Sequence, residues 1–140
     1  MNGARSAREW LGLVIVIVIV GITAGIAAPS FTQMYARHEL YQATTSLYNR
    51  LIYARSAAIS RNLMITATPA NILGAESQVT FTAPLGVETL PLNVTFSLLP
   101  PQPIGFTPRG LSTTPLAAQT IQLQSVRDPS LIYTISLMAS

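Results

Sequence analysis

From Trp10 to Ala36 the chain carries no charged residue, and its centre, Leu11–Ala28, reads Leu-Gly-Leu-Val-Ile-Val-Ile-Val-Ile-Val-Gly-Ile-Thr-Ala-Gly-Ile-Ala-Ala. A helix that crosses a bilayer needs about 20 apolar residues, within a range of roughly 17–25. The Val/Ile alternation has strong strand propensity, so a buried strand is one competing reading. Strands rarely exceed about 10 residues, however, and this run is much longer. In hydrocarbon a single span must satisfy its backbone groups internally, which forces a helix. The expectation is a short basic leader over residues 1–10 and a transmembrane helix over residues 11–29. A cleaved secretory signal peptide is the other competitor, and Gly25-Ile-Ala27 imitates its small-x-small site. The apolar core of a signal peptide is usually only about 7–15 residues, and here a helical pattern follows instead of a loop. Arg5 and Arg8 precede the run. The positive-inside rule therefore keeps the N-terminus cytoplasmic and exports the rest, with Arg37 and His38 on the far side opposing this only slightly.

Pro29 should kink the helix or loosen it briefly, because it lacks the N–H that the ladder needs. Beyond it, Phe31 to Asn62 contains neither proline nor glycine. Leu40, Thr44, Leu47, Leu51, Ala54 and Ala58 recur at spacings of four and three, which places them on one helical face. The expectation is an amphipathic continuation over residues 30–62. Its seam, Leu40, Leu47, Leu51, Ala54 and Ala58, packs on the chain's own sheet, with a partner helix as the alternative. Tyr41, Tyr48 and Ile52 form a neighbouring stripe, with ring edges packed and hydroxyls in water. Glu39, Gln42, Asn49, Arg50 and Ser60 make the polar face.

Composition shifts after Asn62. Nine of the ten prolines lie beyond it, and β-branched residues alternate with polar ones. Leu63–Thr68, Gln78–Ala83, Thr89–Leu98, Ile104–Thr107, Gln119–Val126 and Leu131–Met138 read as strands. Gly74, Pro84-Leu-Gly86, Pro100-Pro101, Pro108-Arg-Gly110 and Asp128-Pro129 punctuate them as turns. The fold class expected is α+β: a long N-terminal transmembrane and amphipathic helix packed on a small antiparallel sheet, with residues 63–140 forming a β-rich exported domain.

The chemistry-bearing residues are few. Charged residues make up 9% of the 140, against about 25% in a typical soluble domain. There is no cysteine, hence neither disulfide nor thiolate chemistry. His38 is the sole histidine and reads as a solvated or interfacial side chain. Glu9, Glu39, Glu76, Glu88 and Asp128 form no carboxylate pair and no metal-ligand spacing. No glycine-rich phosphate loop is present, and the serines have no base partner. Asn93-Val-Thr95 matches a glycosylation sequon but reads simply as strand. Neither an enzyme, a cofactor nor a metal site is expected. The net charge of +3 comes from eight scattered arginines: Arg5, Arg8, Arg37, Arg50, Arg55, Arg61, Arg109 and Arg127. No specific nucleic-acid partner is implied.

A basic leader, an apolar helix ending in Pro29-Ser-Phe31, an amphipathic continuation and a β-rich tail together resemble type IV pilins and type II secretion pseudopilins. Ala54-Arg-Ser-Ala-Ala-Ile-Ser-Arg-Asn62 resembles the helix end of the GspH/FimT group of minor pilins. Ile104-Gly-Phe-Thr-Pro-Arg-Gly110 resembles the same group's Phe-x-Pro-x-Gly strand and turn. With Gly21–Phe31 the likeness covers about half the chain closely. It implies a structural subunit of the bacterial inner membrane with a periplasmic domain, which helps to prime or assemble a pilus or a secretion pseudopilus. The implied partners are other pilin-like subunits, an inner-membrane assembly platform and a prepilin peptidase. Gly12, Gly21, Gly25 and Pro29 fall on the helix that would enter the membrane or filament.

The chain departs from the family pattern at its leader. There the peptidase cuts between a glycine and a phenylalanine, and a glutamate stands at the fifth mature position. Alignment on Pro29 puts Ala7 and Arg8 at the cut and Gly12 at the glutamate position, with Glu9 nearby but out of register. Taking Gly3 as the leader glycine sets Glu9 one place late and Pro29 several. A missing glutamate suits a low-copy or tip subunit. The family's usual glycine- and tryptophan-rich middle is also absent, as is the arginine motif near the C-terminus of some relatives. The alternative function is a membrane-anchored periplasmic binding module, for DNA or a secreted substrate, that never enters a filament.

Overall fold

The computed structural model describes residues 3–72, 76–113 and 119–137, with the side chains of residues 3–5 and 27–30 outside that description. The chain divides into two compact units, Met1–Tyr35 and Ala36–Ser140. Helix α1, Gly3–Arg61, contributes to both.

In the first unit the apolar run is helical, not a strand, and its large side chains from Trp10 to Ile26 are exposed. The helix is long and apolar enough to cross a membrane. The only hydroxyl between Trp10 and Ile26, on Thr23, donates back to the carbonyls of Ile19 and Val20 at 2.9 and 3.0 Å. This polar group is thus satisfied within the helix, as hydrocarbon requires. Helical backbone continues past position 29; the Pro29 side chain, on which the expected kink rests, lies outside the described residues.

In the second unit α1 buries Ala36, Leu40, Ala43, Leu47, Leu51, Ala54, Ala57 and Ala58. The seam differs from the sequence pattern at one step. Ala43 is buried while Thr44 is half-buried, its hydroxyl donating 2.7 Å to the Leu40 carbonyl. A helix of 3.6 residues per turn drifts across a strict four-three repeat, so the neighbouring position takes the inward place. The helix stops at Asn62, whose φ is +53°. Asn62 N–H donates to the Ile59 carbonyl at 3.3 Å and Leu63 N–H to the Ala58 carbonyl at 3.1 Å. This is a Schellman cap with asparagine at its left-handed position.

Seven strands follow: β1 Ile65–Ala70, β2 Gln78–Phe81, β3 Val87–Thr89, β4 Val94–Leu98, β5 Ile104–Phe106, β6 Gln119–Ser125 and β7 Ile132–Leu137. They form two antiparallel sheets, not the single sheet expected from the sequence. One is ordered β3-β2-β1-β5 and the other β4-β6-β7. The expected strand Thr89–Leu98 is split between them. Pro91 lacks an N–H for a ladder, and its carbonyl accepts from Val94 N–H at 2.9 Å, closing a turn where one strand was expected. β1 runs on through Pro69, which faces Val79 of β2, while β5 pairs only with Ile65–Ala67. Among the described residues Pro69 therefore has no strand on its other side, the position a sheet allows to proline. The expected turn at Gly74 and the strand end at Met138 fall outside the described residues.

One hydrophobic cluster unites the α1 seam with Ile65, Ala67, Val79, Phe81, Ile104 and Phe106 of the first sheet and Val94, Phe96, Ile121, Leu123 and Ile135 of the second. Along β6, buried and half-buried residues alternate strictly, the period of a strand with one face on the core. Asn71 ties the sheets together. Its side chain donates to the Phe96 carbonyl at 2.7 Å and accepts from Phe96 N–H at 3.0 Å, as a strand neighbour would.

Candidate functional site

The polar face of α1 is more than a solvated surface. Glu39 accepts from Asn93 Nδ2 at 3.0 and 3.3 Å, fixing the helix to the turn before β4. The amide of the Asn93-Val-Thr95 sequon is thus engaged within the fold. Arg50 Nη2 donates to the Leu85 carbonyl at 2.9 Å. Its Nε lies 3.7 Å from Glu88, within ion-pair range but too far for a hydrogen bond. Ser46 donates to the same carboxylate at 3.0 Å. The Arg50 guanidinium also stands 5.8 Å from the Tyr53 ring centroid. His38 is exposed and shares a 2.9 Å hydrogen bond with Gln42 one turn on. Asp128 accepts from the N–H and hydroxyl of Ser130. Glu39, Glu88 and Asp128 thus serve separate contacts, and among the described residues no group of three acids or histidines could hold a metal ion.

The second unit's arginines fall into separate places: Arg55, whose Nε lies 3.5 Å from a Cβ position on Gly110, and Arg61 are on the C-terminal part of α1. Gly110 of the turn after β5 lies against Ile59, which puts Arg109 beside the C-terminal end of α1. Val126 N–H donates to the Asn93 carbonyl, and Asn93 bonds Glu39, which puts Arg127 beside the other end of the same segment. From Glu39 to Ile59 the helix rises about 30 Å.

The leader positions Ala7 and Arg8 are exposed within α1, and Gly3 opens it. At Gly12, Gly21 and Gly25 an added Cβ would meet no atom within 4 Å, so these glycines relieve no crowding in the chain itself. Elsewhere glycine answers a local demand. A Cβ on Gly105 would overlap Thr113, and Gly110 combines a φ of +76° with Ile59 Cδ1 only 2.8 Å from a Cβ position.

A concave feature of the second unit runs between α1 and β7. One cavity of about 210 Å³ is lined by Tyr48, Leu51, Ile52, Arg55, Phe106, Gly110, Ser112 and Ile135–Leu137. A second, of about 270 Å³, is lined by Thr44, Thr45, Tyr48 and Thr134–Ser136. They share Tyr48, Ile135 and Ser136. The stripe expected to bury its ring edges is largely open: Tyr41, Tyr48 and Ile52 remain 49–57% exposed. Sequence reading separated the two walls, because Tyr48 and Ile135 lie at opposite ends of the second unit's chain and no local pattern links them. The signal that was present is β7 itself, Ile132-Tyr-Thr-Ile-Ser-Leu137, an uncharged strand.

Comparison with known protein families, curated proteins and solved structures finds no match to this chain. The fold defines an α+β chain whose N-terminal helix can cross a membrane and whose second unit seals the remainder of that helix onto two small sheets.

Proposed function

We propose that the chain is a minor pilin-like or pseudopilin-like subunit, a structural component that helps to prime or assemble a type IV pilus or a secretion pseudopilus. The observation that carries this reading is the division of labour along α1. From Trp10 to Ile26 its apolar side chains are exposed, whereas from Ala36 to Ala58 an apolar seam is buried in the chain's own core. An apolar helix of that length needs lipid or other helices around it. A subunit that passes from bilayer to filament exchanges the one for the other. Gly21 and Gly25, with open space beside them, offer the flat surface on which membrane helices approach closely. On this reading the chain spans the bacterial inner membrane once, with Arg5 and Arg8 cytoplasmic and the β domain periplasmic. It acts with other pilin-like subunits, the assembly platform and a prepilin peptidase, and it catalyses no reaction.

The test pairs topology with processing. A phosphatase fused after Ser140 should be active and a cytoplasmic reporter inactive. Co-expression with a prepilin peptidase should shorten the leader near Ala7–Arg8 or Gly3, as read by mass spectrometry. An intact leader with the same topology favours the second reading, a membrane-anchored periplasmic binding module, for which the groove along β7 is the specific support. Reversed reporter activities would sink both.

A further inference from the structure

The groove between α1 and β7 is bounded on one side by the outer edge of a sheet. β7 ends the order β4-β6-β7, and among the described residues nothing pairs with its outer side. An open edge presents unpaired N–H and C=O groups, and proteins commonly blunt such edges with charge, proline or a bulge. β7 has neither charge nor proline, and it pairs with β6 without a register shift. The opposite wall is helical: Thr44, Thr45, Tyr48, Ile52 and Arg55. From Thr44 to Arg55 the helix rises about 17 Å, the length of about five residues of extended strand.

The two cavities are each smaller than the roughly 300–1,000 Å³ of a small-molecule site. They are open, lie in series along the strand, and mix apolar walls with the hydroxyl-bearing residues Thr45, Thr134 and Ser136. A lipid chain would leave those hydroxyls and the β7 backbone unmatched, whereas a peptide backbone pairs with them. Arg55 sets the charge of the occupant. It stands exposed in the groove wall and makes no hydrogen bond or ion pair among the described residues. A guanidinium so placed is matched by a carboxylate, which it can hold with two parallel hydrogen bonds.

We propose that this groove docks an extended peptide segment carrying alternating apolar side chains and a carboxylate, which adds to β7 as the fourth strand of its sheet. Backbone hydrogen bonds to β7 supply affinity. Alternate side chains enter the two cavities, and the carboxylate pairs with Arg55. The site does not depend on filament assembly, so its failure would leave the subunit reading intact.

The probe is a six-residue peptide that alternates valine and threonine and ends in aspartate, titrated onto the full chain in detergent micelles. Fluorescence anisotropy reads binding, and amide hydrogen exchange reads residues 132–137. The expected result is saturable binding with slowed exchange in β7. Arg55→Gln, or replacement of the peptide's carboxylates by amides, should weaken binding by about tenfold or more, the weight of a charge-assisted pair. Arg55→Lys should restore part of it. Ile52→Glu, at a half-exposed position that the fold tolerates, should weaken it through repulsion of the carboxylate. Unchanged exchange in β7 up to millimolar peptide would overturn the proposal, as would binding indifferent to Arg55→Gln. Protection of β7 that rises with protein concentration in the absence of peptide would overturn it too, assigning the edge to a second copy of the chain.

Discussion

Leu47 and Leu51 are 0% and 3% exposed in the core that α1 shares with both sheets, while Tyr48 between them is 52% exposed. Position on the helix, not hydrophobicity, decides what each side chain contributes. An aspartate at Leu47 or Leu51 places an unpaired charge among aliphatic side chains and leaves it without a partner. Leu47→Asp and Leu51→Asp should each destabilise the second unit by several kcal/mol, whereas Tyr48→Asp should cost under about 1 kcal/mol. Chemical denaturation followed by circular dichroism separates the two outcomes. Equal melting of all three variants would show that the seam faces elsewhere. Asn62 is a subtler case. Its φ of +53° is a conformation that alanine adopts at a cost and glycine freely. Asn62→Ala should therefore lose about 1 kcal/mol and Asn62→Gly little or nothing. The same denaturation midpoints read both, and a larger loss for glycine than for alanine would contradict the cap.

Elements were legible in proportion to how local their causes are. The buried stripe of α1 repeats within a few residues, so its spacing placed Leu40, Leu47, Leu51, Ala54 and Ala58 on one face. The strand alternation of Thr120-Ile-Gln-Leu-Gln124 lies well within β6 for the same reason. β3 went unrecognised because three residues, Val87–Thr89, carry too little pattern and depend on pairing with β2. The division into two sheets was not legible at all. It turns on which distant strands meet, on the Pro91 turn, and on Asn71 reaching across to Phe96, none of which leaves a periodic trace. The groove belongs to the same category, since its walls are helix and last strand. All the buried cluster residues lie within Ala36–Ser140, so the elements needed for the core are contained in that unit. A fragment beginning near Phe31 should accordingly be soluble and folded, with mixed helix and strand by circular dichroism and a single cooperative thermal transition. A fragment that precipitates or melts without cooperativity would mean that the first unit is needed to complete the fold.

At the scale of the whole molecule, charge placement governs what the proposed subunit can join. Arg109 and Arg127 stand beside opposite ends of the α1 segment in the second unit, and Arg50 is engaged with Leu85 and Glu88. Arg55 and Arg61 share the Arg109 end, so only about three arginines can reach one phosphate backbone together, and counterion release grows with the number of contacts. Binding of the full chain to duplex DNA at physiological salt should be no tighter than roughly micromolar, the range of non-specific association. A salt-resistant complex well below that would displace the structural reading in favour of the binding module. The membrane segment makes the stronger prediction. On the proposed reading, the resemblance to pilins implies a glutamate at the fifth mature position that pairs with a neighbour's terminal amine, and alignment on Pro29 sets Gly12, on an exposed stretch of α1, at that position. In hydrocarbon an uncompensated charge costs at least about 2.5–3.5 kcal/mol, so such a pair selects strongly for one register between neighbouring helices. A glycine neither gains nor loses by register, which suits a subunit that starts a filament better than one that extends it. Overproduced with an assembly machinery, the wild-type chain should form no filaments of its own, yet it should crosslink through Leu11–Ala28 to other pilin-like subunits. Gly12→Glu should shift that balance by giving the helix a carboxylate at the pairing depth, and electron microscopy of sheared cell surfaces reads the outcome. Homopolymeric filaments of the wild-type chain would reverse the argument, because helices without the charge pair would then be finding their register by packing alone.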